Sequence, residues 1–129
     1  AEYRFNQTEG GVQYQGIEVG WLPEGYELVE SDAPDRVILR RYIKSSSGVK
    51  SSIDVRAISF FDEGVFKVDT EADQIYQVSV QNTLATVIQK EGCVQITWMY
   101  PKSNCIVTLY GDNISTETAL RIAQSIVLS

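Results

Sequence analysis

A chain of 129 residues, 43% hydrophobic and 22% charged, has the size and composition of one ordinary globular domain that can bury a core without staples. Its formal charge of -6 and pI near 4.6 work against phosphate backbones and anionic membrane surfaces, which attract clustered Lys and Arg; no nucleic-acid partner is expected. No run approaches the roughly 18 apolar residues that span a bilayer.

The N-terminus has neither the basic nor the apolar region of a signal peptide. Because the chain starts at Ala1 and its only methionine is Met99, a processed or excised start is expected, with any membrane anchor upstream. Residues 1–16, with Gly10 and Gly11 among polar neighbours, read as a flexible lead-in or linker. Residues 17–129 read as a single α+β domain.

Within that domain, Trp21-Leu22-Pro23-Glu24-Gly25-Tyr26 reads as an extended approach to a Pro-Glu-Gly turn, with a strand over residues 26–30. Residues 36–43 and 51–60 are strand-like, and the Ser/Gly stretch between them makes a hairpin. Arg36, Arg40, Arg41 and Lys44 read as the basic solvent face of the first of these strands. Tyr76, Val78 and Val80 alternate with polar residues in a strand that has one wet face, and residues 84–89 form the next. Val94, Ile96 and Trp98 alternate likewise, a turn follows at residues 100–104, and residues 105–110 return.

After Gly111 the period changes from 2 to 3.6. Ala119, Leu120, Ile122, Ala123, Ile126 and Val127 then share one helical face, with Ser115 as N-cap and Glu117 in the first turn. The expected fold is α+β: an antiparallel β-sheet of about six to seven strands with an amphipathic C-terminal helix packed on one face. Trp98, in phase with Val94 and Ile96, belongs to the core beneath that helix.

The chain contains no histidine, which removes Ser-His-Asp and Cys-His nucleophilic sites, the HExxH motif and most zinc sites. Ser47 and Lys50 match S-x-x-K without its companion motifs, and a hairpin turn is expected there. Asp69, Glu71 and Asp73 have the spacing of a calcium loop, but Gln74 replaces its glycine and Val80 its bidentate Glu; an acidic solvated loop is expected. No glycine-rich phosphate loop occurs, and no metal or cofactor is expected. Cys93 and Cys105 are expected not to pair. With Trp98 opposite Cys105, Cys93 lies roughly 16 Å away at strand rise, whereas a disulfide needs Cα atoms within about 7 Å.

Trp21-Leu22-Pro23-Glu24-Gly25-Tyr26-Glu27-Leu28 resembles the opening motif of the domain of unknown function 4367 family. Ile96-Thr97-Trp98, residues 105–111 and the helix ending Ile122-Ala123-Gln124-Ser125-Ile126 resemble its closing signature. The sequence departs from that pattern at Asn82-Thr83-Leu84-Ala85, where a glycine is expected before the buried small residue. The resemblance implies the extracytoplasmic part of a membrane-anchored protein of Gram-positive bacteria, beside anti-sigma-factor-like segments in some cases, and supplies no active-site residues.

The function expected on these grounds is a non-enzymatic extracytoplasmic sensing or binding module for a peptide, glycan or partner protein. Trp21, Tyr26 and Tyr100 are its candidate binding residues, since an amphipathic aromatic near a turn anchors a partner. The alternatives are a small carboxylate-based hydrolase and a carrier of an apolar ligand between sheet and helix.

Overall fold

The computed structural model describes residues 14–33, 37–46, 48–59, 72–101 and 103–129 in full, and residues 2–6 and 63–67 by their backbone. In chain order the strands are β1 (Glu2–Asn6), β2 (Ile17–Val19), β3 (Glu27–Asp32), β4 (Val37–Ser46), β5 (Val49–Ser59), β6 (Glu63–Lys67), β7 (Gln74–Val80), β8 (Thr83–Lys90), β9 (Cys93–Met99) and β10 (Cys105–Asp112). The helix α1 (Thr116–Gln124) and a last strand, β11 (Ile126–Leu128), complete the chain.

Seven strands form one antiparallel sheet in the order β3-β4-β5-β10-β9-β8-β7. It consists of two meanders, β3 to β5 and β7 to β10, joined where β10 pairs with β5. Short turns set the register. Gly25 takes φ 96° before β3, a left-handed conformation that costs little only without a Cβ. Between β9 and β10, Ser103 Oγ donates to Tyr100 O at 2.7 Å and accepts from Cys105 N at 3.1 Å, so the expected turn is closed by its own serine.

Strand alternation sorts the sheet into two faces. On the helix side, Val55, Leu109, Ile96 and Val87 stand in one cross-strand row, and Ala57, Val107 and Trp98 in the next. All of these side chains are buried. Ala119, Ile122 and Ala123 of α1 close over them, and each fully buried Ile, Leu or Val contributes about 1.5–3 kcal/mol relative to exposure. Trp98 is completely buried, as its phase in the sequence requires. The opposite face carries Arg56, Thr108, Thr97 and Thr86 in a row, with the Thr97 and Thr108 hydroxyls 3.3 Å apart.

The helix begins as expected: Ser115 Oγ accepts from Thr118 N at 3.1 Å, and Glu117 lies in the first turn. Its end corrects the sequence reading. Ile126 and Val127 belong not to the helical face but to β11, which pairs with β2 through Ile126–Val19, Val127–Glu18 and Leu128–Ile17. Ser125 ends the helix by donating its hydroxyl to Ile122 O at 2.7 Å. Thereafter Ile126 and Leu128 are buried and Val127 faces solvent, the alternation of a strand. Apolar residues at 122, 123 and 126 satisfy a helical period and those at 126 and 128 a strand period, so the pattern alone does not locate the switch.

Backbone pairing also reaches into the stretch read as a lead-in over residues 1–16. Glu2–Asn6 pairs antiparallel with Glu63–Lys67, and Gln15 N and Gly16 N donate to Ser129 O. Gly20 N donates to Ser125 O at 3.0 Å, so close an approach that a Cβ on Gly20 would stand 2.8 Å from that oxygen.

The basic residues of β4 do not form one solvent face. Arg40 is in register with Val55 and Arg41 with Asp54, on opposite sides of the sheet. Arg41 grips Asp54 through Nε at 2.7 Å and Nη2 at 3.1 Å and reaches Glu30 at 3.4 Å; the hydrogen bond to Asp54 raises its already high pKa. Arg36 lies outside the described residues.

The stretch Asn82-Thr83-Leu84-Ala85, where the resemblance leads one to expect a glycine, opens in a turn that needs none. The β7–β8 turn consists of Gln81 at φ 53° and Asn82 at φ 63°, the two left-handed positions of a type I′ hairpin, where asparagine substitutes for glycine. Ala85 is fully buried nearby. Gln81 is held by tertiary bonds: its Oε1 accepts from Trp98 Nε1 at 3.2 Å, and its Nε2 donates to Ile126 O at 2.6 Å and lies 3.4 Å from Ala123 O and Gln124 O.

Gln81→Ala should destabilise the fold by about 1–3 kcal/mol, because it leaves a buried indole N–H and a buried carbonyl without partners; urea denaturation measures it, and a change near zero would refute the role given to Gln81. Gly20→Ala should cost about 1–3 kcal/mol in the same measurement, since backbone atoms must move to admit the Cβ.

Candidate functional site

The loop between β10 and α1 is held in place by packing and by tertiary hydrogen bonds. A Cβ on Gly111 would lie 2.5 Å from Ile114 Cδ1, so glycine at this position lets Ile114 fold down on the strand. Asn113, at φ 59°, donates its N–H to Gly92 O at 2.7 Å, and its carbonyl accepts from Ser51 Oγ at 3.1 Å. Clefts open on both sides of this loop. One, of about 350 Å3, lies between the β8–β9 turn and the helix start and is lined by Asp73, Gln89, Glu91, Cys93, Ile114 and Ser115. The other, of about 290 Å3, is lined by Pro23, Tyr26, Lys44, Ser51, Asn113 and Thr118.

In the first cleft Asp73 and Glu91 are both exposed, and Gln89 Nε2 donates to Tyr76 Oη at 3.1 Å and to Thr116 Oγ1. Asp69 and Glu71, which with Asp73 have calcium-loop spacing, lie outside the described residues, as does Ser47 of the S-x-x-K match. No group of three His, Cys, Asp or Glu side chains able to hold a metal occurs among the described residues. A smaller cleft of about 170 Å3 lies on the sheet face opposite the helix, between Ile88, Cys93 and Tyr110.

The three aromatic candidates are each seated on a different neighbour, and all are half-buried against the core. The Arg121 guanidinium lies 3.9 Å from the Trp21 ring centroid, a cation–π stack, and Trp21 N donates to Ser125 Oγ at 3.0 Å. Tyr26 faces Lys44 Nζ at 6.0 Å and alone of the three lines a cleft described above. Tyr100 meets Tyr14 edge to face, 5.4 Å between centroids and 76° between planes. Each thus has a structural contact of its own.

The two cysteines are free thiols at opposite ends of the β9–β10 hairpin. Cys93 stands opposite Asp112, while Cys105 O accepts from Tyr100 N; Val107, not Cys105, is opposite Trp98. Cys105 is buried beside Ser59 Oγ at 3.4 Å. Cys93 is exposed, with Sγ 3.5 Å from Asp112 Oδ1. Partial burial pushes its thiol pKa up, the hydrogen bond and charge of Asp112 push the same way, and Lys90 opposes them.

A raised thiol pKa reduces the thiolate fraction at a given pH and slows alkylation. Cys93 should therefore react more slowly with iodoacetamide at pH 7.5 than an unhindered cysteine. Asp112→Asn should accelerate it, because it removes the hydrogen bond and the charge that add to burial in raising the thiol pKa, and Cys105 should stay unmodified in the folded protein. Mass spectrometry of a time course measures all three, and an unchanged rate in the variant would leave burial as the cause and remove Asp112.

Sequence reading missed Gln81. The pair Gln81-Asn82 between two alternating strands signals a turn, but nothing local tells which distant groups a turn side chain will reach. A family model described as Domain of unknown function (DUF4367) matches residues 16–126. No curated protein and no solved structure matches the chain.

Proposed function

From a chain that belongs to the DUF4367 family, we propose a non-enzymatic extracytoplasmic sensing or binding module of a membrane-anchored protein, which meets a peptide, glycan or partner protein at its surface. The observation that carries the binding half of this reading is the filled interior. Trp98, Ile96, Leu109, Ile122 and Ile126 are fully buried between sheet and helix, where an apolar cargo would have to lie. That packing counts against the carrier reading, since ligand chambers run to about 300–1,000 Å3 and enclose most of their ligand. The clefts beside the helix start lie at the surface, and the carboxylates of the first are exposed. This gives the hydrolase reading little support.

The extracytoplasmic half rests on the family resemblance. No helix among the described residues is long and apolar enough to cross a membrane, so in this reading the anchor belongs to the parent protein outside this domain.

Cys93 supplies a native reporter of location, because it is exposed while Cys105 is buried. In intact cells expressing the full-length parent protein, a membrane-impermeant maleimide should label Cys93, and Cys93→Ser should abolish the signal. Labelling that appears only after lysis would overturn the extracytoplasmic placement. The binding half is tested by Asp73→Asn combined with Glu91→Gln. If the parent protein keeps its cellular output with both carboxylates gone, the binding reading stands; loss of output in a folded double variant would favour carboxylate chemistry.

A further inference from the structure

The two edges of the seven-stranded sheet are built differently. An edge strand presents a row of unpaired N–H and C=O groups, and sequences normally blunt it with charge, proline or a bulge. β3 is blunted twice: it carries Glu27, Glu30 and Asp32, and its register with β4 shifts between Leu28 and Glu30. β7 reads Gln-Ile-Tyr-Gln-Val-Ser-Val, with no charge and no proline. Its pairing with β8 runs without interruption from Gln74–Gln89 to Val80–Thr83. Among the described residues no strand pairs with its outer side.

A type I′ turn closes on a hydrogen-bonded pair. Val80, Val78, Tyr76 and Gln74 therefore direct their backbone groups to β8, and Ser79, Gln77 and Ile75 direct theirs outward. The side chain of Gln124 marks that outer side: its Nε2 donates to Ser79 O at 3.1 Å, the contact expected of an outward carbonyl. The groups of Gln77 and Ile75 and the N–H of Ser79 remain for another strand.

We propose that β7 is a self-pairing edge and that its partner is β7 of a second copy of this chain, joined antiparallel about a two-fold axis through Gln77. A second copy fits because the strand is complementary to itself under that symmetry. Gln77 meets Gln77, and the outward N–H and C=O of each bond the other. Tyr76 meets Val78, an aromatic and β-branched pair of the kind that stabilises neighbouring strands, and Ile75 meets Ser79. The Ser79 N–H reaches the partner's Ile75 C=O, and the Ser79 C=O, which already accepts from Gln124 Nε2, takes the partner's Ile75 N–H on its second lone pair. No charged residue faces its own copy across the join; Asp73, just before the strand, falls opposite Gln81. The charge of -6 on each copy opposes association over longer range only, so added salt strengthens the dimer by screening it. The inference is independent of the extracytoplasmic reading.

Sedimentation velocity of the 129-residue chain over about 5–500 μM, at low and at about 0.5 M salt, tests it. The expected result is a monomer–dimer equilibrium that tightens with salt. Gln77→Lys places like charges against each other on the axis and should weaken the dimer at least tenfold. Gln77→Pro removes an outward N–H that β8 does not use and should do the same, with far-ultraviolet circular dichroism confirming the fold. Because Gln77 is exposed, Gln77→Lys reads the result even if Gln77→Pro fails to fold. A wild-type chain that stays monomeric to about 500 μM would overturn the proposal. So would a dimer that tolerates Gln77→Lys but is broken by Val29→Lys on β3.

Discussion

A tryptophan indole buried without contact to water needs an acceptor for its N–H, and the last carbonyls of a helix need donors. Gln81 answers both needs from a hairpin turn. Its carbonyl oxygen takes the Trp98 N–H, and its amide reaches the backbone carbonyl of Ile126 just beyond α1. Through this side chain the β7–β8 turn, the C-terminal end of β9 and the junction between α1 and β11 are tied at one point. The helix can thus end at Ser125 and the chain continue as a strand without abandoning its carbonyls to an apolar interior.

That ending determines how the rest of the domain closes. Once β11 has turned away from the helix, it binds β2, and Gly20 and Trp21 dock on Ser125. The segment around Trp21 and the C-terminal strand thereby hold each other. The close approach at Gly20 and the stack of Arg121 on Trp21 belong to the same seam. Trp21 is therefore committed to packing as much as to any partner.

The residues that carry the family resemblance have structural roles. Gly25 makes the turn before β3, Trp98 fills the space under the helix, and Gly111 makes room for Ile114. Ile122 and Ala123 are buried, and Ser125 caps the helix. A signature made of packing and capping residues identifies a scaffold, and sites grafted on a scaffold vary independently of it. The uncharged edge at β7 lies outside these motifs, whereas the cleft beside Lys44 is lined by Pro23 and Tyr26 of the opening motif itself.

The antiparallel α+β class, the paired strands, the N-cap at Ser115, the burial of Trp98 and the separation of the cysteines are legible in the chain, because each follows from local period or turn chemistry. Alternation, a capping hydroxyl and a glycine turn act over a few residues and can be read where they occur. That Ile126 and Val127 leave the helix, that Arg40 and Arg41 part to opposite faces, and that Gln81 serves Trp98 and Ile126 emerge only on folding. Those outcomes depend on which distant backbone offers a partner. The same holds for the candidate site: the exposure of Cys93 and the outward groups of Gln77 depend on strand order and register, which no single segment encodes.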